Sequence, residues 1–142
     1  MRYVLDTNAV SALMRGDPRV IDRLKGAGRS AVRIPQPVLA EIEYGIQRLP
    51  RSKRRDALRE RFALVCSELT RAEWTDMVSA AFGSIKASME RAGTRIEDFD
   101  AAIAAHALAL AHDAILVTAN VDDMARIPGI VVEDWSAAPA AR

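Results

Sequence analysis

The sequence predicts a single α/β domain, in which a mainly parallel central sheet is flanked by helices. Three observations predict it. Short apolar runs of strand length recur along the 142 residues, stretches of helical periodicity lie between them, and helix-start signals separate the two. Strands alternating with helices call for a parallel sheet covered on its faces. The length is that of one domain, and a domain of this size buries roughly 68–70% of the surface its unfolded chain exposes. The domain is expected over residues 1–135, with residues 136–142 (SAAPAAR) as a frayed tail.

The elements follow in order. The first strand is expected over residues 2–5, running straight into Asp6-Thr7-Asn8 and then a second apolar stretch, a helix. Asp17-Pro18 opens the next helix, with Val20, Ile21 and Leu24 on its inner side. A strand is expected over 31–34. Pro37 then begins a helix with Val38, Leu39, Ile42 and Ile46 facing inward. A third strand is expected over 63–66. Thr70 and Glu73 have capping-box spacing, and Trp74, Met77, Val78, Ala81, Ile85 and Met89 then keep helical period as a core stripe. The Ala-rich run 100–112 reads as a buried helix, and strands close the chain at 114–118 and 130–132.

Composition excludes several classes. One cysteine, Cys66, forms no internal disulfide and rules out a multi-cysteine zinc site, which fits a reducing, cytoplasmic setting. The first apolar run is too short for a signal peptide, and no run approaches bilayer length. Twenty Lys and Arg against nineteen Asp and Glu leave a net charge of +1, so an argument about nucleic acid rests on where charge is placed.

The acids supply the functional lead. In open α/β sheets, sites gather at the carboxyl edge of the strands. Asp6 ends the first strand. Glu41 lies in the early turns of the helix after the second strand, Asp100 at the start of the helix that feeds the fourth, and Asn120 just past that strand. Each has a bland reading: Asp6 and Asp98 or Asp100 as helix caps, Glu41 as a solvated acid. Together, three carboxylates in one crevice raise each other's pKa unless a cation is present. A hard divalent ion such as Mg²⁺ suits oxygen ligands and keeps several waters, and no cysteine or paired histidine offers a softer site.

YVLDTNAVSALM, PVLAEIEYG, IEDFDAAIAAHALALAHDAILVTAN and IPGIVVEDW, in that order, together resemble a PIN-domain ribonuclease of the VapC toxin type. The resemblance covers nearly the whole chain. It implies a single PIN-like α/β/α domain and an endoribonuclease using Mg²⁺, with Mn²⁺ as the other option. On it, Asp6 and Asp100 match principal metal ligands, and Glu41 matches an acid that binds the metal directly or through water. Glu43 then falls outside the site, and Glu97 and Asp98 become neighbours of Asp100. Thr7, Ser11 and Thr118 match small polar supports. Asn120 stands where many such domains carry a fourth acid; Asn supplies no charge and is expected to be accessory. Asp122 and Asp123 lie just beyond it and read as caps. The family further implies a homodimer, inhibition by a cognate VapB-type antitoxin, operator DNA contact through that antitoxin only, and cleavage products with a 5′-phosphate and a 3′-hydroxyl.

Other features carry weaker signals. RLPRSKRRDALRERF, residues 48–62, holds seven basic residues against two acids, and reads either as a solvated helix face or as a phosphate-tracking patch for folded RNA, the low aromatic content disfavouring long unstructured single strands. His106 and His112 stand six apart, off a common helical face, and read as structural. Tyr44 and Trp135 read as core or as interface. Two rivals to a nuclease are a haloacid-dehalogenase-like phosphatase, disfavoured because Asn8 replaces its second Asp, and a catalytically idle PIN-fold module that only pairs with an antitoxin.

Overall fold

A computed structural model of the chain describes residues 1–110 and 113–137. The tail beyond residue 137, and with it most of the expected frayed segment, lies outside the described residues, as does His112.

The first strand, β1 (Tyr3–Leu5), leads into α1 (Thr7–Arg15), α2 (Pro18–Ala27) and, after one short 3-10 turn, β2 (Val32–Pro35). The chain continues as α3 (Gln36–Gln47), α4 (Lys53–Glu68), β3 (Thr70–Ala72), α5 (Asp76–Arg91) and α6 (Asp98–Leu110), then β4 (Ile115–Val117), α7 (Val121–Met124) and β5 (Val132–Glu133). All four pairings are parallel, in the order β3-β2-β1-β4-β5. The α/β class and the parallel sheet are as the sequence predicts.

Local chemistry explains the boundaries. Asp17 caps α2 by accepting from the Arg19 N–H, and Pro18 occupies its first turn. Gly16 ends α1 at φ 74°, a left-handed conformation that glycine adopts without penalty. Val4, Leu5, Val32, Ile34, Leu116 and Val117 are buried, as strands covered on both faces should be. Residues 101–107 of α6 are all buried, and its alanines permit close approach to the sheet.

Four expectations are corrected. Residues 63–66 are not a strand; they lie inside α4, where Leu58, Phe62 and Val65, followed by Leu69 at its C-cap, keep helical spacing towards the core. The third strand is Thr70–Ala72, so Thr70 caps nothing. Instead Thr75 starts α5, its Oγ1 accepting from the Val78 N–H at 3.3 Å. The core stripe of α5 is accordingly Val78, Ile85 and Met89, while Trp74 and Met77 are exposed. The strand expected over 130–132 forms two residues later, as Val132–Glu133. Among the described residues no helix is long and apolar enough to cross a membrane.

Candidate metal centre and active site

The strand order reverses between β1 and β4, because the chain builds outward through β2 and β3 on one side before adding β4 and β5 on the other. Such a switch point opens a crevice at the carboxyl ends of the strands. The register pairs Tyr3 with Ile115, Val4 with Leu116 and Leu5 with Val117, and the Asp6 N–H donates to the Val117 carbonyl at 2.9 Å. Asp6 and Thr118, 112 residues apart in sequence, thereby meet at the crevice floor.

Both readings of Asp6 hold at once. Its Oδ1 accepts from the Thr7 N–H at 2.6 Å as the N-cap of α1. Its Oδ2 accepts from Thr118 Oγ1 at 2.7 Å and from Asn8 Nδ2 at 3.1 Å. Three donors on a carboxylate with about four lone-pair sites leave capacity for a further electrophile. Only 4% of Asp6 and 1% of Thr118 are exposed, so this carboxylate is held almost immobile.

Thr118 is the hub of the network. Its hydroxyl donates to Asp6 and accepts from Asn8 Nδ2 at 3.3 Å and from the Asn120 N–H at 3.0 Å, so its hydrogen-bonding capacity is filled. Asn8 closes the circuit by accepting at Oδ1 from the Ala119 N–H at 2.9 Å. Sequence reasoning missed this role for Asn8. The only local signal is a carboxamide two residues after the acid, and its partners lie 110 and 111 positions away.

On the neighbouring helix, Thr7 Oγ1 donates to Glu41 Oε1 at 2.7 Å and ties α3 to the start of α1. Glu43 points elsewhere, both its oxygens accepting from Arg59 Nη1 on α4, which holds its carboxyl below the usual range. Asp98 pairs with Lys86 at 3.0 Å. Ser11 lies along a groove with Thr7 and Glu41. Asp123 of α7, whose N-cap position is Asn120, pairs with Arg126 just past the helix at 3.1 Å.

Asp100, in the first turn of α6, completes the acid group. Burial pushes its pKa up to about 6, and the charges of Asp6, Glu41, Glu97 and Asp123 add to the rise in that order. Asp6, Glu41 and Asp100 thus share one field. Among the described residues, no group of three His, Cys, Asp or Glu side chains is placed so as to hold a metal ion. The donor set suits a hard divalent cation held in open fashion, by one or two carboxylates with water and substrate oxygens filling the rest of its shell. Mutual repulsion at Asp100 is the charge imbalance such a cation relieves.

A stability prediction follows with a definite sign. Because the folded pKa of Asp100 is raised from 3.8 to about 6, its favourable contribution is complete below pH 3.8 and lost as pH rises through about 6. A rise of that size corresponds to about 3 kcal/mol, which solvent screening of a half-buried group reduces to about 1–2 kcal/mol. Asp100→Asn is therefore expected to raise the Tm of metal-free protein by about 3–6 °C at pH 8 and to leave it nearly unchanged at pH 4. Thermal unfolding with chelator at both pH values checks this; a lowered Tm at pH 8 contradicts it.

The other titratable groups of interest are structural. His106 Nδ1–H donates to the Ala102 carbonyl at 2.8 Å, burial lowers its pKa, and its ring meets the edge of Trp74. Burial raises the Cys66 thiol. Trp135 is buried against Tyr3, centroids 5.2 Å apart, with its Nε1–H donating to Glu133. Tyr44 is exposed rather than core.

The chain is similar to known proteins over nearly its whole length. The PIN-domain family profile matches residues 3–130. Ribonuclease VapC2 of Rickettsia felis is 30% identical over 137 residues, covering 95% of this chain and 98% of that protein. The tRNA(fMet)-specific endonuclease VapC of Salmonella typhimurium is 30% identical over 135 residues, with the same coverage. Among solved structures, VapBC2 from Rickettsia felis bound to a DNA fragment from their promoter superposes with a TM-score of 0.84 at 27% identity, covering 95% of this chain and 99% of that one. DNA-bound VapBC from Salmonella typhimurium gives 0.80 at 27% identity, covering 95% and 98%.

Proposed function

The chain belongs to the PIN-domain family, and from that premise we propose that it is a metal-dependent endoribonuclease acting as the toxin of a toxin–antitoxin pair. The observation that supports the proposal is that the charges of Asp6, at the end of β1 beside the β1–β4 switch point, and of Glu41 both bear on Asp100. Asp6 and Asp100 are the residues that would hold Mg²⁺ or Mn²⁺, with Glu41 binding it directly or through water. When bound, the ion supplies Lewis-acid charge for the phosphodiester and a water of lowered pKa.

The chain's own residues do the rest. Asn8 and Thr118 hold the Asp6 carboxylate in one orientation, so no reorganisation is needed when charge develops nearby. Thr7 engages Glu41 Oε1, leaving Oε2 to orient a water. Asn120, anchored through its N–H to Thr118, adds a neutral polar group beside the acids without adding to their repulsion. The products are a 5′-phosphate and a 3′-hydroxyl.

The partner is a cognate VapB-type antitoxin, and operator DNA is contacted through it. Support comes from the VapBC relatives, solved as complexes on DNA. The relative named for tRNA(fMet) makes that RNA the first substrate to try.

Expression in a heterologous bacterium tests the proposal against the idle-module alternative. Wild-type chain is expected to arrest growth, co-expressed antitoxin to relieve the arrest, and Asp100→Asn to cause none. Equal arrest by the variant, or none by wild-type chain that accumulates folded, contradicts the proposal.

A further inference from the structure

A groove of about 350 Å³ leaves the acid site between α1 and α3, with Thr7 and Glu41 at its mouth and Gly45, Met14, Leu58 and Arg15 further along. Both helices start at the carboxyl edge and run away from it. At 1.5 Å per residue, Gly45 lies about 6 Å beyond Glu41, and Arg15 about 12 Å beyond Thr7. Its volume is at the small end of the range for ligand pockets, about 300–1,000 Å³.

Gly45 is the informative residue. It sits inside α3, where glycine is destabilising relative to alanine. It is not the C-cap, which is Arg48, and its φ is not positive. A Cβ built on it meets nothing within 4 Å. Open space above Gly45, as above Gly26 and Gly83 in other helices, means that a side chain placed there would project into the groove it lines.

Arg15 is the cation that lines the groove, and Arg48 lies on the neighbouring surface of α3. Arg15 and Arg48 are exposed and form no ion pair with any described residue. Glu41, Tyr44 and Arg48 fall on one stripe of α3, at 100° per residue. Tyr44 is 68% exposed, and the Arg48 guanidinium lies 5.9 Å from its ring centroid. An aromatic face beside a cation is what a nucleobase and its phosphate recognise. Past Arg48, the basic stretch continues around a polar groove lined by Arg51, Arg55 and Arg59.

We propose, resting on the nuclease reading above, that the α1–α3 groove over Gly45 is the subsite for the nucleotide next to the scissile phosphate. Its base lies against the apolar wall and its phosphate on Arg15, while Tyr44 and Arg48 carry the strand onward. The occupant is single-stranded RNA, because the groove begins beside Glu41, close to where a scissile phosphate must sit, and carries Arg15 at its other end.

The test uses purified full-length chain and a short single-stranded oligoribonucleotide spanning a cleavage site mapped in total RNA. Gly45→Leu is expected to raise KM about tenfold with kcat little changed and with Mg²⁺ affinity, read by thermal shift, unaltered. Gly45→Ala should raise Tm by about 2 °C and still raise KM, which a purely structural role does not produce. Arg15→Gln should weaken binding and reduce the salt slope by about 1. Wild-type cleavage with unchanged KM in both glycine variants overturns the subsite. Normal RNA kinetics with lost inhibition by the antitoxin assigns the groove to a protein segment and also overturns it. If wild-type chain cleaves nothing in any metal, the nuclease reading fails. The groove is then judged by oligonucleotide binding alone, and equal Kd for wild type and Gly45→Leu overturns it.

Discussion

Asp100→Asn is expected to lower kcat for RNA cleavage by about a thousandfold or more, the scale of ~4 kcal/mol of lost transition-state stabilisation. The substitution keeps the shape of the side chain and removes the charge that holds the cation. It is a cleaner probe than Asp6→Asn. Asp6 accepts from Thr7, Asn8 and Thr118, so placing an amide there sets N–H groups against N–H and O–H donors and loosens the crevice floor. Among the described residues no side chain donates to Asp100, and the metal-free variant is expected to be more stable above pH 6, not less. Lost activity with raised Tm separates a metal ligand from a structural acid. Single-turnover cleavage with Mg²⁺ and circular dichroism melting, done on the same preparation, supply both readouts.

Ile103→Ala is expected to destabilise the fold by about 3 kcal/mol, within the 2–5 kcal/mol range of such truncations, and to lower Tm by about 10 °C. Ile103 is fully buried and is the one large aliphatic side chain in the buried run 101–107 of α6, otherwise alanines and His106. Alanine neighbours that allow close helix–sheet approach have no bulk with which to refill the space, so the cavity persists. Ile103 lies one turn past Asp100, which makes the packing of α6 against β1 and β4 the support that aims the carboxylate. Chemical denaturation gives the free energy. A loss below about 1 kcal/mol would mean that α6 is anchored elsewhere.

Much of the site is legible in the sequence because its acids stand at element ends. Asp6 follows an apolar run, Glu41 follows Pro37 by one turn, and Asp100 opens an alanine-rich helix, so the parallel-sheet inference alone carries them to one edge. The errors have equally local causes. Residues 63–66 read as a strand because they are apolar and contain a β-branched residue, and the longer period of Leu58, Phe62, Val65 and Leu69 was the better signal. The true third strand is three residues at the sheet edge, with Thr70 and Arg71 exposed, and has no apolar run to find. Asn8 and the groove over Gly45 were invisible for another reason. Asn8 works through Thr118 and Ala119, and the groove exists only once α1, α3 and α4 have packed. Properties of long-range packing do not appear in a local pattern.

The metal requirement is the centre of this account, and cleavage of total RNA by purified, antitoxin-free protein tests it most directly. The reaction is run with Mg²⁺ or Mn²⁺, then with chelator, then with the ion restored, and with Asp100→Asn alongside. Discrete fragments that vanish with chelator, return with the ion and never form with the variant are the predicted result. Fragments that persist in chelator, or that the variant produces equally, would contradict the assignment of Asp6, Glu41 and Asp100 as a metal centre.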